Sequence, residues 1–468
     1  MKMTETLQIV SPVDGCIYAE RPFTSERDIR HALDLSVTAQ AKWRQTPLAQ
    51  RLSVCLAAVD ALLKNKQTIG EELSWQMGRP IQYAPDEIDG FAERARYMIS
   101  IAEQHLSDIP ITDSASGVTR YIQREPVGVV FSIAPWNYPY LTAVNSIIPA
   151  IVAGNSVLMK PSSQTAITAE RIAEAFQSAN LPEGVFQHLL LTHEATVNIV
   201  AKEKIDYVAF TGSVEGGRII ERAAAGRFID VGLELGGKDP AYVRADADVA
   251  FAIENIADGG FFNSGQSCCA IERIYVHRDV YRPFVDGLVD RVSQYRLGDP
   301  LDPETSLGPM VRTSNADRVR QQIQQALAKG AQACIDDKLF AVNPEKQGMA
   351  YLAPQVLVNV DHTMPVMSAE TFGPVVGIMQ VVSDQQAIQL MNDSAYGLTA
   401  SVWTQNQQVA VDIGKQVRTG TWFMNRCDYL DPALAWTGIK HSGKGCSLSG
   451  LAYQRLTRPK SFYLRVGH

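Results

Sequence analysis

Two adjacent thiols, Cys268 and Cys269, follow a glycine-containing turn in NSGQSCCA. Neighbouring side chains diverge on any regular element, so a cysteine pair here makes a poor packing feature and a plausible nucleophile. A buried, inert thiol is the competing reading of either residue taken alone. A nucleophile also needs a base and an oxyanion site. Glu234 lies in LELGGKD, inside an apolar run where a carboxylate is costly unless it has a partner or a task, and the following glycines allow close backbone approach. Asn137, in APWNYPY after an expected strand, carries an uncharged donor suited to an oxyanion, although a structural Asn in a proline-framed loop explains it equally.

Two further turns point to nucleotide chemistry. Lys160 closes an expected strand in SVLMKPSSQT, and Thr211 to Ser213 in FTGSVEGG open a helix whose free N–H groups suit a phosphate. Neither matches the G-x-G-x-x-G or G-x-x-x-x-G-K-[ST] pattern, so the generic motifs alone carry the nucleotide reading only part of the way.

The elements that must position these groups follow from periodicity. From 127 to 245, β-branched runs alternate with helical patterns: VGVVFSIA (127–134) and DYVAF (206–210) read as strands, TAITAERIAEAFQSA (165–179) and the segment opening at Thr211 as helices. Such continuous apolar strands predict a doubly wound parallel α/β sheet. The residues before 106 read as mainly helical, and a second α/β block runs from 237 to 441. VTRYIQREP (118–126) and SFYLRV (461–466) fit neither block and read as strands seeking partners elsewhere.

With 468 residues, the chain has room for about two to four domains of ~150 residues. Its 46% hydrophobic and 20% charged composition excludes a disordered protein. A net charge of −7 without a basic cluster argues against nucleic acid or membrane as a partner. Seven scattered cysteines do not make a disulfide framework. The opening MKMTETLQIVSPVDG lacks a signal-peptide apolar stretch, and the expectation is a soluble cytoplasmic protein. No metal site is expected.

Taken in order, PWNYP, KPSSQT, FTGS, LELGGK, GQSCC, ETFGPV and GIKHSGKG resemble the motif series of the aldehyde dehydrogenase superfamily over nearly the whole chain. The 34-residue interval from Glu234 to Cys268 is also similar to that family's spacing. The resemblance implies a catalytic set of Cys268 as nucleophile, Glu234 as the base for thioester hydrolysis, Asn137 with the Cys268 backbone N–H as oxyanion donors, and Lys160. Cys269 is then a structural or pocket-lining thiol. NADP or NAD would be held by Trp136, Lys160, Ser162, Ser163, Ser213, Glu370 and Phe372, with Glu370 on the nicotinamide ribose and Phe372 behind the ring. Ser163 stands where many NAD-dependent members carry a glutamate against the ribose 2′-hydroxyl, so NADP is expected to be accepted.

The implied fold is a Rossmann-like cofactor domain (1–107 and 127–236), an α/β catalytic domain (237–441) and a bridging β arm (108–126 and 450–468) joining a homodimer or dimer of dimers. HLLLTHEATVN, Ala435-Trp436-Thr437-Gly438 and Cys446-Ser447-Leu448-Ser449-Gly450 depart from the family pattern. Substrate choice is expected to rest on Tyr138, Thr142, Asn145, Ser146 and Trp436, with Arg426 a possible partner for the carboxylate of a semialdehyde. The alternatives are a CoA-acylating enzyme, which would not need Glu234, a cofactor-free thioester or ester hydrolase, and a catalytically retired scaffold.

Overall fold

The computed structural model describes residues 6–112, 117–340 and 349–466. Parts of the expected bridging arm, 113–116 and 467–468, lie outside the described residues, as do the first five positions of the opening segment.

The first sheet has six strands in the order Gly443–Lys444, Asp230–Glu234, Tyr207–Thr211, Val129–Ile133, Ser156–Lys160, Phe186–His188, parallel except for the first. VVFSI and SVLMK are buried at every position, as continuous apolar strands covered on both faces must be. The chain winds outward from Val129–Ile133 through two strands, then returns to its other side for Tyr207–Thr211 and Asp230–Glu234. This reversal opens a crevice at the carboxyl ends of the central strands, where ligands bind in open α/β sheets. The doubly wound expectation therefore holds, with one addition: the late strand Gly443–Lys444 returns to pair beside Glu234.

A second sheet of seven strands runs in the order Gln332–Ala333, Gln355–Val358, Val375–Val381, Ile271–His277, Asp239–Val243, Thr399–Trp403, Thr421–Met424, antiparallel only at its first strand. The two orphan segments find each other: Val118–Pro126 and Thr457–Arg465 pair antiparallel without a break, with Ile109–Pro110 on the far side. The outer strand, mostly exposed, carries Pro459 and Lys460, both typical of a defended edge.

The amino-terminal region is mainly helical, as expected, but begins with a hairpin of Thr6–Val10 and Ile17–Pro22. Its signal in the sequence is Asp14-Gly15, and Gly15 takes the left-handed φ of +75° that such turns require. The helix Pro139–Ala153 is the central beam under the crevice, with Pro139 in its first turn and Gly154 at its end. Gly154 has φ +95°, a left-handed backbone that favours glycine, and the Arg51 guanidinium lies over the space a Cβ would take. Trp43, from the helix Glu26–Trp43, donates to the Ile151 carbonyl at 2.9 Å and ties the helical layer to this beam.

Candidate active site

A cavity of about 1030 Å³ opens at the carboxyl ends of the central strands and runs between the two large sheets. Of the residues singled out from the sequence, Trp136, Asn137, Tyr138, Thr142, Asn145, Lys160, Ser162, Ser163, Ser213, Glu234, Cys268, Glu370, Phe372 and Trp436 all line it.

Arg426 does not line the cavity. Its side chain is exposed and stacks on Tyr429, 3.9 Å above the ring centroid, because the backbone around it turns the neighbouring Asp428 inward. Ser146 also faces elsewhere. It shares a 2.8 Å hydrogen bond with Ser132 beside a small cavity of about 40 Å³ behind Glu234.

The thiol loop is shaped by three successive left-handed residues, Asn263 (φ +53°), Ser264 (φ +56°) and Gly265 (φ +67°). At Gly265 a Cβ would lie 2.3 Å from the Gly373 carbonyl oxygen, so this turn is open only to glycine. The turn leads into Cys268, which is part-exposed, and Cys269, which is buried. The Gly-Gly pair after Glu234 explains itself in space. A Cβ on Gly237 would meet the Cys268 carbonyl oxygen at 2.2 Å, and one on Gly236 would meet Glu370 Oε1 at 2.1 Å. The loop is thereby threaded between the thiol and Glu370.

The two thiols sit in different surroundings. Cys269 donates to Asp428 Oδ1 at 2.9 Å, and Ser267 Oγ donates to the same oxygen at 2.9 Å. A hydrogen bond to the Cys268 side chain, then burial, then the Asp428 charge push the Cys269 thiol well above the ordinary range and keep it protonated. Both thiols border the cavity, but Cys268 is part-exposed there whereas Cys269 is 2% exposed.

Asn137 is buried and held from both ends. Its Nδ2 donates to the Gln266 carbonyl at 3.1 Å, leaving the second amide hydrogen uncommitted, while its own carbonyl accepts from Asn263 Nδ2 at 3.3 Å and from Arg79 Nη2. Arg79, 2% exposed, also donates to Asn263 Oδ1 at 3.2 Å, pairs with Glu87 and lies 4.4 Å over the Tyr138 ring. Glu87 accepts from the Tyr140 and Leu141 N–H groups at 2.8 and 3.2 Å. It thus caps the helix Pro139–Ala153 from another helix, where Tyr138 offers no cap of its own.

Glu234, at the end of its strand, lines both cavities. Burial pushes its carboxyl up, opposed by hydrogen bonds from Ser447 and Thr211, the latter at 3.3 Å. The small cavity behind it is walled mainly by apolar side chains, with Glu234, Ser132, Ser146 and Thr211 among its polar groups, and has room for a water molecule.

Toward the first sheet, Lys160 is 7% exposed, has no hydrogen-bond or ion-pair partner among the described residues, and is pushed down by burial to about 8. Ser213 caps the helix Val214–Ala224, its Oγ accepting from Gly216 N at 3.1 Å. Glu370 accepts from Gly237 N at 3.0 Å and is raised to about 7, chiefly by burial and then by Glu272. The loop carrying Glu370 and Phe372 is pinned by a buried pair, Lys238 Nζ to Glu272 Oε2 at 2.5 Å, whose carboxylate also accepts from the N–H groups of Thr371 and Phe372. Phe372 meets Trp136 edge-on, centroids 5.5 Å apart.

These groups fit a dinucleotide: an unpartnered buried cation, a capped helix N-terminus of ample length, and a carboxylate held by one backbone N–H. The departing stretch HLLLTHEATVN supplies part of the wall, since His193, Thr196 and Val197 line the cavity from a helix that Thr192 caps. Sequence reasoning missed Arg79, Glu87, Arg94, Asp428, Lys238 and Glu272. Only LELGGKD held a hint, in the lysine after its glycines.

The aldehyde dehydrogenase family model matches residues 1–462. The chain is 32% identical to 3,6-anhydro-alpha-L-galactose dehydrogenase of Streptomyces coelicolor, covering 98% of this chain and 93% of that protein. It is 31% identical to succinate-semialdehyde dehydrogenase [NADP(+)] of Mycobacterium leprae, covering 95% and 96%. Among solved structures, NADP-dependent glyceraldehyde-3-phosphate dehydrogenase of Bacillus halodurans, complexed with NADP, superposes with a TM-score of 0.92 at 31% identity, covering 100% of this chain and 97% of that one.

Proposed function

This chain belongs to the aldehyde dehydrogenase family, and from that premise we propose a division of labour for the cavity residues. The protein is an enzyme that oxidises an aldehyde to its carboxylic acid with NAD(P).

Cys268 Sγ attacks the aldehyde carbon, and the carbonyl oxygen becomes an oxyanion facing the free hydrogen of Asn137 Nδ2 and the Cys268 backbone N–H. Lys160, Ser162, Ser163, Ser213, Trp136, Glu370 and Phe372 hold the nicotinamide cofactor, which when bound supplies the hydride acceptor. Glu234 then takes a proton from the water that attacks the thioester carbon. The C–S bond breaks, the carboxylic acid leaves, and Cys268 is restored. A carboxyl raised by burial suits a base working near neutral pH.

The supporting observation is the unequal state of the two thiols: Cys269 is buried and donates to Asp428, while Cys268 is part-exposed in the cavity shared with Glu234 and Asn137. Cys268→Ala and Cys269→Ala, assayed for reduced nicotinamide formation, test it. Activity surviving in Cys268→Ala would refute the assignment.

At Ser163 a hydroxyl replaces a carboxylate, which removes the charge that would repel a 2′-phosphate, so NADP is accepted. Turnover with NADP more than about a hundredfold poorer than with NAD would refute that role of Ser163. The relatives named for NADP lean the same way.

We assign 1–107 and 127–236 to the cofactor domain, 237–441 to the catalytic domain, and 108–126 with 450–468 to a bridging arm. The exposed outer strand of that arm, with Tyr463 and Leu464 bare, is the expected joint of a homodimer or dimer of dimers. Light scattering reporting a monomer at micromolar concentration would count against it. All seven cysteines are free, and among the described residues no helix is long and apolar enough to cross a membrane. A reducing cytoplasm is the compartment in which Cys268 stays reactive.

A further inference from the structure

Three arginines line the cavity, Arg94, Arg312 and Arg318, and none meets an acid at ion-pair distance among the described residues; Arg312 and Arg318 are exposed, so Arg94 is the buried one. Arg94, on the helix Asp86–Ser100, lines the catalytic cavity beside Leu141, Thr142 and Asn145. Its Nη1 donates to the Leu141 carbonyl at 2.6 Å and reaches Asn145 Oδ1 at 3.5 Å. Both are neutral acceptors, and among the described residues no carboxylate comes within ion-pair distance of it. The remaining edge of the fork, Nε and Nη2, makes no hydrogen bond among the described residues and is open to the cavity.

The acids around the same space are already provided for. Asp428 accepts from Ser267 and Cys269, Glu234 from Thr211 and Ser447, and Glu370 from the Gly237 N–H. Glu93 and Asp258 stand at the exposed rim. The protein thus gives each inner carboxylate its own donors and leaves Arg94 without a countercharge. A desolvated guanidinium is costly in that state, and its planar fork matches a carboxylate with two parallel hydrogen bonds. The charge nonetheless reaches the catalytic corner, since Cys269 and Glu234 both feel it.

Resting on the aldehyde-oxidising reading above, we propose that the open edge of Arg94 binds a carboxylate at the far end of the substrate, so that the preferred substrates are short oxo acids carrying an aldehyde. The base in the loop 424–436, Arg426, points to solvent and takes no part.

The test compares kcat/KM for 4-oxobutanoate, butanal and 4-hydroxybutanal in wild type, Arg94→Met and Arg94→Lys. Wild type is expected to prefer 4-oxobutanoate. The ratio of 4-oxobutanoate to butanal is expected to fall by at least about 30-fold in Arg94→Met, with part of it kept by Arg94→Lys. An unchanged ratio in Arg94→Met, or a wild-type preference for butanal or 4-hydroxybutanal, overturns the proposal. Should Arg94→Met not fold, protection of wild-type Cys268 from iodoacetamide decides the matter. Protection by succinate but not by butyrate supports Arg94, whereas equal protection by both, or none, overturns it. Failure of wild type to oxidise all three aldehydes with either cofactor strikes the aldehyde-oxidising reading instead, and the protection assay still judges Arg94.

Discussion

The cavity has two kinds of wall. Around the thiol loop, polar groups are satisfied by the protein itself: Arg79 bridges Glu87, Asn263 and the Asn137 carbonyl, and Asp428 takes up Ser267 and Cys269. On the ligand-facing walls, among the described residues, Lys160 has no partner and Arg94 has only neutral ones. A saturated network fixes atoms before the substrate arrives, which is what oxyanion stabilisation needs. An unsatisfied cation is a receptor, because its desolvation cost is recovered only when an anion or a hydroxyl fills the site. The same chain thus keeps its machinery closed and its recognition surfaces open.

Cys268→Ala should have the largest effect, lowering turnover by roughly 10⁴-fold or more, whereas Cys269→Ala, which removes a thiol already committed to Asp428, should stay within about tenfold of wild type. Comparable losses in both would erase the distinction between the thiols. Next comes Arg79→Met, which leaves Glu87 buried without its cation and should cost about 3–5 kcal/mol in denaturant unfolding. A loss below about 1 kcal/mol would show that this wall is not held by its ion pair. Asn137→Ala should reduce kcat by about 10²–10³-fold with little change in KM, since it removes a donor used only as charge develops.

The open wall makes smaller predictions. Lys160 is fully charged only below its depressed value of about 8, so NADP affinity measured by titration should weaken as pH rises through that point, and Lys160→Met should flatten the profile. Ser447→Ala removes a hydrogen bond that holds the Glu234 carboxyl down, so the acid limb of kcat should move to higher pH. A shift to lower pH, or none, would assign that limb to another group.

How much of this was legible in the sequence varies with the distance between partners. Cys268, Glu234, Asn137, Lys160 and Glu370 sit in short motifs beside glycines, prolines or strand ends, and their presence in one cavity was foreseeable from those motifs in order. The two orphan β segments announced themselves by composition, and their pairing with each other was the simplest way to cover both edges. The network behind Asn137 had no such signal. Arg79 meets Asn263 across 184 residues, and Glu87 reaches Tyr140 across 53. Arg426 shows the converse error. It lies in the right loop, but the left-handed φ of Asp428 (+44°) belongs to a turn that carries the acid inward and leaves the base outside.

By itself, then, the sequence determined which residue types stand at which strand ends and which local backbones only glycine can adopt, and from these the parallel sheet; its motifs in order gave the family resemblance, and with it the cofactor class and the candidates for nucleophile and base. Only the tertiary structure decided which thiol is capped, which arginines line the cavity, and which charges among the described residues remain without partners. Local backbone preference is encoded within a few residues, whereas satisfaction of a charge is a property of everything within a few ångströms, brought there by segments as far apart as the 184 residues between Arg79 and Asn263.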